Sequence, residues 1–168
     1  NGYTVGALVV ANPMGSVTSA SGKHFWAAPF EVDREFGGMG IDPTSASFER
    51  RQSPKEVAMM VSNAEMSNTT IAIVATDAPL SKTQCHRLAV TAHDGMARAI
   101  IPSHTPLDGD LIFGVSTTIG AVDYNMFRDL GAASAVCLSR AIARGVYEAT
   151  AYADDILPTY RSSQTKLK

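Results

Sequence analysis

The stretch SNTTIAIVATDAPLS, from Ser67 to Ser81, puts a threonine where a buried strand begins. A threonine hydroxyl at such a position can attack the carbonyl carbon just before it. The amide becomes an ester, water hydrolyses the ester, and the chain then ends at Asn68 and restarts at Thr69. The freed Thr69 carries a nucleophilic oxygen and a proton acceptor in one residue. Its α-amine titrates near ~7.7–8.0, which leaves a useful neutral fraction at physiological pH. This is the threonine and N-terminal amine version of the nucleophile–base pair. Two plainer readings of Asn68-Thr69-Thr70 stand beside it: the polar start of a strand, and the Asn-x-Thr glycosylation sequon, for which no secretory context is visible.

Acyl transfer also needs a donor for the developing oxyanion, and one such donor is worth about 10²–10³ in rate. Asn12 has an amide that can donate and stands at the end of a strand, although plain turn chemistry before Pro13 fits it equally. Asp108 and Asp110 flank Gly109 in PLDGD. Beside a catalytic amine they would stabilise its charge and orient the hydroxyl. Taken alone, the motif is a solvated turn.

These residues need strands and helices to hold them. The 168 residues, 45% hydrophobic and 18% charged, suit one globular domain with its own core. Thr4 to Ala11 reads as a buried strand, NPMG as a turn and SVTSA as a short return strand. Glu31 to about Pro54 reads as a long loop. SPKEVAMMVSNAEM reads as a helix with Ser53 as N-cap, Pro54 at its first position and Glu56 completing a capping box. The run Thr70 to Thr76 is almost continuously apolar, which predicts a strand covered on both faces. Ser81 and Gln84 predict a second capping box, and Cys85, Leu88, Ala89, Ala92, Met96, Ala99 and Ile100 form one buried helical stripe. Leu111 to Thr117 is a further strand. An Ala-rich helix is predicted from about Leu130 to Tyr152, followed by an exposed tail. Strands alternating with helices predict an α/β fold of sheets covered by helix layers.

The net charge of −2 and the lack of a basic cluster argue against nucleic acid as a partner. No apolar run approaches the ~20 residues that span a bilayer. The two cysteines, Cys85 and Cys137, predict buried free thiols and a reducing, cytoplasmic setting. FGGMG has neither the leading strand nor the following helix of a dinucleotide fingerprint. His86 and His93 stand seven apart on one helix face, too few ligands for zinc. His104, near the Asp-Gly-Asp turn, reads as turn packing or a pocket lining. His24 to Trp26 reads as a core or subunit-contact anchor. No metal or organic cofactor is implied. The chain starts at Asn1 and runs almost at once into a strand, which suggests an upstream part.

Taken together, VVANPMGSV, NTTIAIVATDAPLS and AHDGMARAIIPSHTPLDGDLIFGVST resemble one family of N-terminal-nucleophile hydrolases. That family includes L-aminopeptidase/D-esterases, β-peptidyl aminopeptidases and the 6-aminohexanoate-oligomer (nylon-oligomer) endo-hydrolases. The resemblance spans most of Tyr3 to Thr117. It implies an αββα sandwich, self-processing into α and β pieces, and a homo-oligomer, often a tetramer. By it, residues 1–68 end the α piece and residues 69–168 form the β piece. Thr69 corresponds to the nucleophile, Asn12 to the oxyanion-stabilising Asn, and Asp108 and Asp110 to the carboxylates behind the nucleophile. Thr with Asp-Gly-Asp is closest to the nylon-oligomer branch. Family chains are about twice this long, and their upstream half supplies a Tyr and a Lys to the site; Tyr3 and Lys23 stand in the wrong context to replace them.

The expected function is therefore self-cleaving amide hydrolysis on small peptides, β-peptides or 6-aminohexanoate oligomers, completed by the upstream segment of the same precursor. Two alternatives stay open. Ornithine acetyltransferases also use an N-terminal Thr, and their strand after it resembles TIAIVATDA. An uncleaved, non-catalytic domain is the third reading.

Overall fold

The computed structural model describes residues 2–44, 52–62 and 68–165. Strand β1 (Val5–Val10) is followed by a single 3₁₀ turn at Ala28–Phe30 and helix α1 (Pro54–Ser62). Then come β2 (Ile71–Leu80), α2 (Lys82–Ala99), β3 (Leu111–Ile119), α3 (Tyr124–Glu148) and α4 (Tyr160–Thr165). The end of the helix predicted through Met66 and part of the loop predicted before Pro54 lie outside the described residues.

The three strands make one sheet with β2 in the middle, antiparallel to β1 and parallel to β3. Helices α2 and α3 pack on each other and on the strands. The helix starts are where the local chemistry requires them. Ser53 donates its N–H to Glu56 Oε2 at 2.7 Å and accepts the Glu56 N–H at 3.1 Å, which closes the capping box of α1. Ser81 and Gln84 do the same for α2. The stripe predicted on α2 is the buried one, with Leu88, Ala92, Met96 and Ala99 fully enclosed and Cys85 half-buried at its edge. Gly95 lies on the same side; a Cβ there would come within 2.1 Å of the Ala135 carbonyl oxygen, so this glycine sets how closely α2 and α3 approach.

Several expectations shift. Helix α3 begins six residues earlier than predicted, at Tyr124, because Asp123 accepts the N–H groups of Asn125 and Met126 as an N-cap. SVTSA is not a strand; Ser16 bridges to Ile101 and Thr18 to Phe25. The tail is anchored: Tyr160 packs 4.7 Å from the Phe25 ring, its hydroxyl donates to the Lys23 carbonyl, and Gln164 donates to the Gly22 carbonyl. Both cysteines are free thiols and half-buried, and burial pushes the Cys137 thiol above its ordinary range. Among the described residues no helix is long and apolar enough to cross a membrane.

The largest difference concerns the sheet. β2 was expected to be covered on both faces. Its inner residues Ala72, Val74, Ala78 and Leu80 are buried, whereas Ile71 and Ile73 face outward. The strands alternate in register, so the outer face next to Thr69 is built from three rows of small and apolar residues, with Asp77 and Thr117 beyond them. Val10, Ile71 and Leu111 form one row, Leu8, Ile73 and Phe113 the next, and Gly6, Ala75 and Val115 the third. Leu8 is 71% exposed and Phe113 57%.

Candidate active site

Asn68-Thr69-Thr70 occupies the start of β2, where the end of β1 and the start of β3 flank it. The ladders of the sheet run past the named strand ends and hold all three residues. Thr69 donates its N–H to the Asn12 carbonyl at 2.9 Å, continuing the antiparallel pairing. Leu111 donates to the Thr70 carbonyl and Gly109 to the Asn68 carbonyl, each at 3.0 Å. The site therefore sits at one end of a rigid sheet, where strand geometry fixes the backbone.

The Thr69 hydroxyl donates to the Asn68 carbonyl oxygen at 2.5 Å. This places the Thr69 hydroxyl against the carbonyl of the preceding residue, while the Gly109 N–H sits on the same oxygen. Gly109 joins the candidate site through its backbone N–H, a donor that leaves no side-chain signature in the sequence. Its lack of a side chain matters as well: a Cβ would stand 2.9 Å from Thr69 Oγ1.

The two aspartates brace the turn around the hydroxyl. Asp110 is buried; its Oδ1 accepts the Thr70 N–H at 2.8 Å, and its Oδ2 faces His104. Asp108 Oδ1 accepts the Met14 N–H at 2.9 Å, and its Oδ2 accepts the N–H and hydroxyl of Thr105. Asp108 thus ties the 105–110 turn to the Asn12–Gly15 turn.

Asn12 is joined by a partner that the sequence did not announce. Lys55, in the first turn of α1, is buried and donates from Nζ to Asn12 Oδ1 at 2.6 Å and to the Asn12 backbone carbonyl at 3.4 Å. Ser53 fixes the start of that helix by donating from Oγ to the Met14 carbonyl at 2.6 Å. Burial pushes the Lys55 amine below the usual lysine range, against the pull of the Asp108 carboxylate. Lys55 thus binds the oxygen end of the Asn12 amide, and the N–H₂ is its donor end. The 43-residue separation between the two is why only the fold reveals the contact. Lys23 is exposed, and Tyr3 lines a groove of about 520 Å³ between β1 and α3. The four predicted residues Asn12, Thr69, Asp108 and Asp110 thus meet at one end of the sheet, together with Lys55, Gly109 and His104.

A threonine hydroxyl set against the carbonyl before it, with a backbone donor on the same oxygen and a buried amine nearby, is an arrangement suited to acyl transfer. Comparison with known proteins agrees with that class. Residues 1–155 match peptidase family S58, and the chain belongs to that family. It is 37% identical over 175 residues to an uncharacterized aminopeptidase of Mycobacterium tuberculosis, covering 96% of this chain and 48% of that protein. It is 40% identical over 53 residues to a 6-aminohexanoate-oligomer endohydrolase of Paenarthrobacter ureafaciens, covering 32% of this chain and 15% of that protein. A Pyrococcus horikoshii protein of known structure shares the fold, with a TM-score of 0.50 and 24% identity over 87% of this chain and 35% of that one. The chain spans about half the length of the curated aminopeptidases it matches.

Proposed function

We propose that this chain is the catalytic part of a self-processing amide hydrolase with Thr69 as its nucleophile. The observation that carries the reading is the convergence of the Thr69 hydroxyl and the Gly109 N–H on the Asn68 carbonyl oxygen. In processing, the Oγ1–carbon bond forms, the Asn68–Thr69 C–N bond breaks, and the hydroxyl proton passes to the departing amine. Water then splits the ester. In turnover, Thr69 Oγ1 attacks a substrate amide while the new α-amine takes the proton and returns it to the leaving amine. The Asn12 N–H₂ and the Gly109 N–H hold the oxyanion, and Asp108 and Asp110 keep the turn in place. Water releases the acid from the acyl-enzyme. The substrates are small peptides with a free amine, β-peptides or 6-aminohexanoate oligomers.

The uncovered apolar face supports a completed αββα sandwich. A bare face of this size is a binding surface, and a second sheet packs on such a face at about 10 Å. The proposed occupant is a sheet from the further half of the longer chain that the relatives carry, and the finished protein is a homo-oligomer.

The test is intact-mass analysis of freshly purified full-length protein beside its Thr69→Ala variant, with an amide-hydrolysis assay on both. The wild type is expected as two pieces, the second starting at Thr69, and active. Thr69→Ala is expected whole and inactive. Cleavage of Thr69→Ala at the same bond would overturn the mechanism.

A further inference from the structure

Behind the site, a chain of side chains leads from Asp110 to the surface. His104 Nδ1 lies 3.0 Å from Asp110 Oδ2, and the His104 backbone N–H reaches the same oxygen at 3.3 Å. His104 Nε2 lies 3.1 Å from His93 Nδ1 on α2, with the two rings 4.8 Å apart. The Asp110 side chain is 1% exposed and the His104 side chain 38%. The catalytic reading does not use either histidine.

The donor and acceptor pattern fixes the tautomers. Asp110 is an acceptor when ionised, so His104 Nδ1 carries the proton. A neutral His104 then accepts at Nε2, and His93 Nδ1 must donate. Burial first, and then the charge of the His104 ring, hold His93 below its ordinary 6.5, while Asp110 and Asp94 pull the other way.

We infer that His104, backed by His93, is a positioning residue that aims the Asp110 carboxylate at the strand carrying Thr69. Asp110 then holds the Thr70 N–H with one oxygen and His104 with the other, and cannot rotate. The inference rests on the proposed hydrolase function.

His104 also has φ +53°, in the left-handed region. That gives a sharp control, because glycine adopts this conformation most freely and asparagine also tolerates it. If His104 served only the turn, His104→Gly would be its best replacement. If it aims Asp110, His104→Asn is better, since its side-chain N–H₂ can stand in for Nδ1–H. In full-length protein, His104→Gly is expected to lower kcat by about tenfold or more, with little change in KM. His104→Asn is expected to regain most of that loss. Histidine ¹⁵N NMR of the wild type, which needs no turnover, is expected to show neutral His104 carrying its proton at Nδ1. Glycine outperforming asparagine, or His104 carrying its neutral-pH proton on Nε2, would overturn the inference. An active wild type with equally active variants would sink this inference alone, whereas an uncut, inactive wild type would sink the hydrolase reading.

Discussion

Gly109 donates its backbone N–H to the Asn68 carbonyl at 3.0 Å, and the same oxygen accepts the Thr69 hydroxyl. The turn between two aspartates and the start of the central strand are thus joined at one atom. A side chain at Gly109 would enter this contact, since its Cβ would stand 2.9 Å from Thr69 Oγ1 and 3.9 Å from the Asn68 oxygen. Gly109→Ala is expected to displace the hydroxyl by a fraction of an ångström and to slow self-cleavage by roughly 10–100-fold. A time course of intact mass checks this. Unchanged cleavage would mean that the hydroxyl needs no such clearance.

Lys55 supplies the second test. Its Nζ fixes the Asn12 amide, so Lys55→Met is expected to lower the rate by about 10²-fold, comparable to losing an oxyanion donor. The same residue makes a signed stability prediction. Burial lowers its amine below 10.5, so the unfolded chain binds more protons between the folded value and 10.5. Stability of the wild type rises with pH across that window and is lost again as pH falls through the folded value. Lys55→Met is expected to lack this rise in urea titrations at alkaline pH.

Much of this site was legible because its signals are local. Ser53 with Glu56 and Ser81 with Gln84 are capping boxes within one helical turn, and the apolar run after Thr69 could hardly be anything but a strand. Asn12 and Thr69 could be placed at strand ends from their neighbours, whereas grouping Asp108 and Asp110 with them rested on the family resemblance, because Asp-Gly-Asp alone reads as a solvated turn. The missing parts are the non-local ones. Lys55 meets Asn12 across 43 residues, and His93 meets His104 from a helix onto a turn. Gly109 acts through its backbone. The tail was misread because Tyr160 is held by Phe25 and Lys23, partners with no sequence proximity. A continuous apolar strand shows that both faces are suited to burial, but not which segment covers the second.

That second face gives a test by magnitude. If a further sheet covers it in the full-length protein, Phe113 is a core residue there, and Phe113→Ala is expected to cost about 3–5 kcal/mol. If the face stays open to water, the cost is within about 0.5 kcal/mol. Urea unfolding of full-length wild type and variant separates the two by an unmistakable margin.

Glu35 offers a pH test away from the chemistry. It reaches from the loop after the 3₁₀ turn to α3, accepting from Arg140 Nε at 2.5 Å with Arg144 Nε at 3.6 Å. The Arg140 hydrogen bond, more than the opposing burial, holds its carboxyl below the ordinary 4.5. The folded state therefore prefers the ionised form. The stabilisation is present above about pH 4.5 and is lost as pH falls through the folded value. Both arginines are partly solvated, so the pair is worth no more than about 1 kcal/mol. Glu35→Gln is expected to lower the melting temperature by a few degrees at pH 7, at the scale of ~4 °C per kcal/mol or less for a chain this size. The gap between the two proteins should close as the pH approaches 3. A gap that persists at low pH would assign the effect to packing of the loop rather than to the charge on Glu35.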